Sequence, residues 1–214
     1  MTAFLPAKDA ASWDTAAELL TAGKIVAFPT DTVYGLGARM SDRGAVEQLF
    51  ALKNRPSDKA IILFVASVDQ ALEQISTLPA LAEKVLPAFW PGALSAIFPK
   101  RTGIPEWITG GKNTVALRMP NSPQCLDLVR QVGEPLAVTS ANRAAEPTPK
   151  TAQGISQALG QALPLIIEED SGHQTFPSSL IDFTTAPPLL LREGTIALQE
   201  LQAYIPTLQP FEKN

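Results

Sequence analysis

Short runs of consecutive apolar residues, separated by helical segments, constrain the fold of this chain most strongly. Ile25–Phe28 and Ile61–Val65 are apolar at every position, without the alternation of a strand that has one wet face. Such runs are typical of strands that are covered on both faces. Between them, Val46, Leu49 and Phe50 recur at helical spacing. Strands that interleave with helices in this way predict an α/β fold.

The same alternation extends along the rest of the chain. The spacing predicts helices over Ser12–Ala22, from Ser41 or Asp42 to near Lys53, and over Asp69–Ile75, Leu81–Phe89, Pro123–Val132, Thr151–Leu159 and Leu198–Tyr204. Further strands are predicted over Ala93–Phe98, Thr114–Met119, Leu136–Thr139, Leu165–Ile167, Ser179–Phe183 and Leu189–Leu191. Loops are predicted from Pro29 through Gly37 and over Pro99–Lys112, and a polar tail is predicted after Tyr204. No linker divides the sequence, which predicts a single domain over residues 1–214.

Bulk composition narrows the class of protein. The chain has 214 residues and a formal net charge of -4, which argues against nucleic-acid binding over the whole surface but allows a local basic groove. Cys125 is the single cysteine and His173 the single histidine. We expect a packing role for the first and a surface loop for the second. The N-terminus does not resemble a signal peptide, and no apolar run approaches the roughly 20 residues of a membrane span. A cytoplasmic protein is therefore predicted.

Hydroxyls, glycines and cations are concentrated between the two apolar runs. The first run is followed by Thr30, Asp31, Thr32, Tyr34, Gly35 and Gly37, and the second is preceded by Lys53, Arg55 and Lys59. Hydroxyls can orient a phosphorylated ligand, glycines let backbone approach it, and cations neutralise it. The alternative for the threonines is a turn that their side chains stabilise. The sequence lacks G-x-x-x-x-G-K-[ST], so a P-loop is not predicted.

Three other groups of residues have both a functional and a structural interpretation. Lys53 and Arg55 suit phosphate neutralisation, but cations are also favoured at a helix C-terminus. Ser140 and Asn142 follow a buried strand, where open α/β sheets bind ligands, yet both residues also stabilise turns. Arg118 suits either a bidentate clamp on a carboxylate or a surface ion pair.

Several motifs, in order along almost the whole chain, carry a resemblance to a known family. They are P-T-D-T-V-Y-G-L-G from Pro29, K-N-R-P from Lys53, W-P-G-A-L-S from Trp90, V-A-L-R-M-P from Val115, P-L-A-V-T-S-A-N from Pro135, F-P-S-S-L-I-D from Phe176 and L-L-L-R-E-G from Leu189. Together they resemble the YrdC-like family, the L-threonylcarbamoyladenylate synthases. The resemblance implies the short form of that fold, a twisted mixed sheet with flanking helices and a concave basic ligand groove.

The resemblance also implies a reaction. L-Threonine, bicarbonate or CO2, and ATP give threonylcarbamoyl-AMP and pyrophosphate, and the product serves N6-threonylcarbamoyladenosine formation in tRNA. Mg²⁺ is expected to arrive with ATP and to be held mainly through its phosphates, without a protein metal site. The implied partners are other tRNA threonylcarbamoylation proteins, with direct contact to tRNA left open, and no membrane.

Site residues follow from matching the family motifs position by position. The K-x-R…S-x-N signature implies catalytic roles for Lys53, Arg55, Ser140 and Asn142. The resemblance assigns threonine binding to Thr32, Arg118 and Ser178. It assigns ATP binding to Arg55, Lys59, Thr114, Ser140, Asn142, Thr148 and Arg192.

One departure and two rival functions complete the expectations. Where the family has x-S-G after S-A-N, this chain has Arg143, Ala144 and Ala145, and losing the glycine is expected to restrict the backbone to negative φ. One rival is a catalytically silent relative that binds RNA in a basic groove. The other is a carbamoyl-adenylate enzyme of hydrogenase maturation, disfavoured because zinc-finger cysteine pairs are absent.

Overall fold

Eight helices and eleven strands make up the part of the chain that the structure, a computed structural model, describes: residues 2–56, 58–169 and 176–210. The helices are α1 (Ala10–Thr21), α2 (Arg43–Leu52), α3 (Val68–Leu72), α4 (Ala80–Phe89), α5 (Glu106–Thr109), α6 (Pro123–Val132), α7 (Ala152–Leu159) and α8 (Leu198–Tyr204), with a 3-10 turn at Gly160–Ala162. The strands are β1 (Ala3–Pro6), β2 (Val26–Phe28), β3 (Gly35–Arg39), β4 (Ile62–Phe64), β5 (Leu94–Pro99), β6 (Thr114–Arg118), β7 (Leu136–Ser140), β8 (Leu165–Glu168), β9 (Ser179–Asp182), β10 (Leu189–Arg192) and β11 (Gln209–Pro210). His173, expected in a surface loop, lies outside the described residues.

All the described strands join one mixed sheet in the order β1-β8-β2-β3-β7-β4-β6-β5-β9-β10-β11. Neighbours β4 and β6 run parallel, whereas β7 runs antiparallel to both β3 and β4. The α/β class and the mixed sheet predicted from the sequence are thus confirmed. Within the described residues, no helix has the length and apolar character needed to cross a membrane.

Apolar residues pack on both faces of the sheet, as the all-apolar runs predict. On one face, Ala27 and Leu63 join a large cluster with residues of α2, α4 and α7. On the other, Phe28 and Phe64 join a smaller cluster with residues of α1 and α6, including Cys125. Cys125 is buried, in agreement with its expected packing role. Successive residues of a strand point to opposite faces, so runs without polar residues are needed in both β2 and β4.

The stretch predicted as a glycine-rich loop is in part a strand, which corrects the sequence interpretation. Gly35 and Gly37 lie in β3, between β2 and β7. A Cβ on Gly37 would lie 2.6 Å from Cε1 of Phe28, and one on Gly35 would lie 3.0 Å from Cγ1 of Val138. These glycines make room for neighbouring side chains in the sheet, so their presence is not a sign of a phosphate-binding loop.

Other differences from the expected elements are smaller. The structure adds β1 and β11 at the two edges of the sheet and the short helix α5 within the segment predicted to be irregular. Helix α2 ends at Leu52, with Lys53 as its C-cap, close to the predicted end. Asp42 caps its start by accepting a hydrogen bond from the amide of Ala45.

We predict that Gly37→Ala destabilises the protein. The added methyl meets the ring of Phe28, which has 0% exposure and no room to move, so overpacking should lower the free energy of unfolding by about 1–3 kcal/mol. Gly44→Ala is the matched control, because a Cβ there meets Asp42 only at 3.4 Å and alanine favours the helix by up to about 1 kcal/mol. Urea denaturation measures both, and equal midpoints for the two variants would contradict the prediction.

Candidate active site

A cavity of about 320 Å³ lies on the sheet face that α1 and α6 cover only in part. Its floor consists of apolar side chains from the central and distal strands: Ile62, Phe64, Ala116, Val138, Leu180 and Leu191. Polar and charged side chains from the surrounding loops and strand ends form its walls, among them Thr32, Thr139, Ser140 and Ser178. The volume falls at the lower end of the range of about 300–1,000 Å³ for small-molecule sites.

The walls of this cavity are strongly basic. Five cationic side chains and no carboxylate are found among its described lining residues, the cations being Arg55, Lys59, Lys112, Arg118 and Arg192. Burial lowers the pKa of all three arginines, and for Arg192 the charges of Arg118 and Arg55 lower it further. Guanidinium groups nevertheless stay protonated in proteins. This basic cavity therefore has a local excess of positive charge that suits an anionic ligand.

Arg118 is the most rigidly held of the three arginines. Its Nη2 donates to Oδ1 of Asp31 at 2.6 Å, its Nη1 to Oγ1 of Thr32 at 2.9 Å, and its Nε to the carbonyl of Gly92 at 3.0 Å. The guanidinium also lies 5.4 Å from the ring centre of Phe64. The side chains of Arg118 and Asp31 are only 4% and 12% exposed, so the pair is buried, in contrast to the surface ion pair considered from the sequence. Three of its five N–H groups are engaged, which leaves two for a ligand.

The other two arginines are fixed by backbone and hydroxyl oxygens. Arg55 donates from Nη2 to the carbonyl of Ala60 at 2.6 Å and from Nη1 to Oγ1 of Thr139 at 3.3 Å. Arg192 donates from Nε to the carbonyl of Ser178 at 2.9 Å and from Nη2 to its Oγ at 3.1 Å. Neither forms an ion pair with a described carboxylate. Their charges therefore remain available to a ligand.

Thr32 and Ser178 connect the hydroxyl groups of the site. Thr32 shares a hydrogen bond of 3.2 Å with Thr30, whose Oγ1 also accepts from the amide of Thr32. The turn expected from the two threonines is thus present, and both residues also line the basic cavity. Ser178 shares a hydrogen bond of 2.8 Å with Ser95, which fixes the hydroxyl that contacts Arg192.

Four of the residues assigned to the site from the sequence do not line the basic cavity: Lys53, Thr114, Asn142 and Thr148. Lys53 is 3% exposed, and its Nζ donates to the carbonyls of Ser140 and Asn142 at 2.5 and 2.6 Å. Burial, with repulsion from Arg55, lowers the pKa of Lys53 to about 8. Thr148 donates to Oδ1 of Asn142 at 3.2 Å. The structure therefore groups Lys53, Asn142 and Thr148 behind the cavity wall, and the ligand contacts assigned to them stay predictions.

Two of the polar or charged lining residues, Lys112 and Thr139, were not found from the sequence. Lys112 follows a pair of glycines in a segment predicted to be irregular, and no motif includes it. Thr139 precedes Ser140 in a motif that was interpreted only through its serine and asparagine. Its position at the end of a buried strand was the one signal that could have identified it.

The altered loop after Asn142 differs from expectation. Ala145 has φ +66°, so replacement of the family's glycine does not restrict this position to negative φ. The amide of Ala144 donates to the carbonyl of Lys53 at 2.8 Å, and this contact helps to hold the loop in place. A left-handed alanine costs about 1–2 kcal/mol relative to a relaxed backbone.

A larger cavity of about 520 Å³ lies beyond Thr30 and Asp31, but its charges are different. Asp31, Glu168 and Glu169 contribute carboxylates, and Lys8 is its one cationic lining residue among those described. Anions are therefore better accommodated in the smaller basic cavity.

Fold and site together define an α/β protein whose open sheet face carries a cavity lined by five cationic side chains. A family model, Sua5/YciO/YrdC, with the description "Telomere recombination", matches residues 18–194. The chain belongs to this family.

The most similar relatives include proteins named threonylcarbamoyl-AMP synthase. The Pyrococcus abyssi protein is 39% identical over 190 residues, which cover 89% of this chain and 56% of the relative. The Bacillus subtilis protein is 36% identical over 191 residues, with 89% and 55% covered. The chain thus spans about half the length of these relatives. Among solved structures, P. abyssi Sua5 complexed with L-threonine has a TM-score of 0.91 and 35% identity, with 99% of this chain and 62% of that chain covered.

Removing the carboxylate beside Arg118 should lower the stability of the folded protein. Asp31→Ala leaves a buried guanidinium without its ion-pair partner, and we expect the free energy of unfolding to fall by about 3–5 kcal/mol. The matched control is Asp127→Ala, which breaks the ion pair between Asp127 and Arg130. The side chains of these two residues are 64% and 56% exposed, respectively. That change should alter stability by at most about 1 kcal/mol. Chemical denaturation of both variants checks this, and similar losses would contradict a structural role for the buried pair.

Ala145→Gly should stabilise the protein by up to about 1 kcal/mol, because glycine adopts φ +66° without steric strain. The larger conformational entropy of glycine in the unfolded chain offsets part of this gain. Ala144→Gly is the control, since Ala144 is not among the residues with positive φ. We expect that variant to lose about 0.5–1 kcal/mol. Thermal unfolding distinguishes the two, and a lower melting temperature for Ala145→Gly would contradict the assignment of strain.

Proposed function

We propose that this protein is an L-threonylcarbamoyladenylate synthase, which makes threonylcarbamoyl-AMP and pyrophosphate from L-threonine, bicarbonate or CO2, and ATP. The observation that carries the proposal is the convergence of one buried and two partly buried guanidinium groups on a cavity whose described lining has no carboxylate. A carboxylate substrate together with a polyphosphate would compensate this charge. The names of the relatives, and L-threonine in the complex of P. abyssi Sua5, support this choice of substrates.

The amino-acid side of the site centres on Arg118. Its two remaining N–H groups suit the carboxylate of threonine, because a guanidinium can pair with both carboxylate oxygens. The Asp31 carboxylate holds the guanidinium in place at 2.6 Å. Thr32 and Ser178 offer hydroxyl groups on the same cavity wall, which suit the amine and hydroxyl of the substrate.

The nucleotide side comprises Arg55, Arg192, Lys59 and Ser140. These residues line the basic cavity together with Arg118, and the charges of Arg55, Arg192 and Lys59 suit the phosphates of ATP. Lys112 lies on the same cavity, and we add it to this set. Thr114, Asn142 and Thr148 would reach the nucleotide only at the edge of the site or through the residues that they support.

The chemistry requires alignment and charge neutralisation more than proton transfer. The amine of threonine attacks CO2 and loses a proton, which gives an anionic carbamate. A carbamate oxygen then attacks the α-phosphorus of ATP, and the bond to the bridging oxygen breaks as pyrophosphate leaves with its electron pair. Because the carbamate is already anionic, this second step needs no protein base. Arg55 and Arg192 would neutralise the charge that accumulates on the phosphates.

Mg²⁺ is not well matched by the protein side chains of the basic cavity. This ion prefers oxygen ligands, especially carboxylates, and the described lining residues supply none. Asp31, which lies next to the cavity, is engaged with Arg118. We therefore propose that Mg²⁺ enters on the phosphates of ATP.

The cellular role follows from the product. Threonylcarbamoyl-AMP would be handed to other tRNA threonylcarbamoylation proteins for formation of N6-threonylcarbamoyladenosine. We propose that this occurs in the cytoplasm.

The proposal predicts pyrophosphate release from ATP and bicarbonate that depends on L-threonine. Arg55→Ala should lower kcat/KM by about 10²–10³-fold, because it removes a cation from the transferring phosphates. Arg101→Ala is the matched control, since that arginine is exposed and does not line the basic cavity; it should retain activity. Serine in place of threonine measures substrate selectivity.

The outcome also separates the synthase from a catalytically silent relative. Folded protein that releases no pyrophosphate, yet binds RNA with a steep dependence on salt, would contradict the proposal and favour the RNA-binding alternative.

A further inference from the structure

Lys53 belongs to the signature that implied phosphate binding, but its ammonium group is bound by oxygen atoms of the protein itself. Its Nζ donates to the carbonyl of Ser140 at 2.5 Å, to the carbonyl of Asn142 at 2.6 Å and to Oδ1 of Asn142 at 3.3 Å. An ammonium group has three N–H donors, so these oxygens engage all of them. With 3% exposure and no place among the cavity-lining residues, Lys53 has no donor left for a phosphate.

Lys53 instead connects two separate parts of the chain. Besides the ammonium contacts, its own carbonyl accepts a hydrogen bond of 2.8 Å from the amide of Ala144. The side chain of Asn142 continues the network by donating to the carbonyls of Arg143 and Glu146 at 2.8 and 2.6 Å. We call the contacts of Lys53 with residues 140–144 the Lys53 joint. It fastens the end of α2 to the loop that follows β7.

The backbone is strained on both sides of this joint. Within the described residues, only two non-glycine residues have positive φ, Asn54 at +51° and Ala145 at +66°. One follows Lys53 directly, and the other follows its backbone partner Ala144. Such conformations persist where the surrounding structure determines them strongly, and they concentrate near functional sites. The contacts of Lys53 are a restraint that the two segments share.

We propose that Lys53 is a positioning residue, which holds Arg55 and Ser140 on the wall of the basic cavity through the Lys53 joint and does not itself contact the phosphates. Arg55 lies two residues after Lys53, and Ser140 carries one of the carbonyls that bind its ammonium group. Both of these neighbours line the cavity. The identification of ATP as the ligand of Arg55 and Ser140 rests on the proposed function. The contacts of the Lys53 joint do not depend on that identification.

The first test uses wild-type protein, first without ligand and then with ATP. Acetylation of lysines, followed by mass spectrometry, should modify exposed Lys59 at least about 100-fold faster than buried Lys53, because the amine of Lys53 becomes accessible only when the structure opens locally. ATP should slow the reaction of Lys59 and leave that of Lys53 unchanged. Rapid modification of Lys53 that ATP suppresses would overturn the proposal. This measurement requires no variant and no turnover.

The second test compares Lys53→Met with Lys59→Met. In the absence of ligand, Lys53→Met should increase hydrogen exchange in residues 142–148 by about tenfold or more, since the restraint on the amide of Ala144 is weakened. Lys59→Met should leave exchange there unchanged and weaken only ATP binding. Unchanged exchange in Lys53→Met, together with weaker ATP binding, would identify Lys53 as a direct ligand and overturn the proposal.

Rescue provides a readout that a general loss of stability would not produce. In Lys53→Ala, n-propylammonium replaces the atoms that were removed and should restore both protection of residues 142–148 and threonine-dependent pyrophosphate release. Tetramethylammonium, which lacks N–H donors, should restore neither, and equal rescue by the two ions would contradict the joint. If the wild-type protein releases no pyrophosphate, the proposed function fails, while acetylation and exchange still decide the role of Lys53.

Discussion

The buried ion pair between Arg118 and Asp31 is the interaction on which the site depends most directly. Burying a guanidinium without a partner is strongly unfavourable, and Asp31 provides that partner at 2.6 Å from the loop after β2. Arg118 lies at the end of β6, so the pair also joins two parts of the sheet. Arg55 and Arg192 have no such carboxylate among the described residues. One arginine with a carboxylate partner therefore lies beside two without one, and this arrangement gives the cavity its excess of positive charge.

The fold was largely predictable because its signals are local. Ile61–Val65 has no polar residue, and Pro123–Val132 has a capping Ser122 before it and Gly133 after it, so that helix was predicted with its observed limits. Strand β3 was missed because Gly35 and Gly37 have no side chains to show alternation. A side chain at either position would collide with Phe28 or Val138. These two residues come close to the glycines only in the folded sheet.

The sequence predicted which residues belong to the site better than it predicted how their side chains are oriented. Motif order identified Arg55, Arg118 and Arg192 as neighbours, and all three line one cavity. It did not distinguish a side chain that faces the cavity from one that faces away, as the direction of Lys53 depends on carbonyl groups 87 and 89 residues later in the chain. The left-handed Ala145 shows the same limit, because tertiary contacts there override the usual preference of alanine.

The uneven distribution of charge has a consequence for how ligands arrive. The net charge of -4 includes the five cations of the basic cavity. The remainder of the chain is therefore considerably more acidic than the total implies. For a small polyanion, the local excess of positive charge at the cavity should therefore outweigh the net negative charge of the chain, because low-dielectric walls focus the field there. Because salt screens this local field, we expect the association of small anions with the cavity to slow as ionic strength rises.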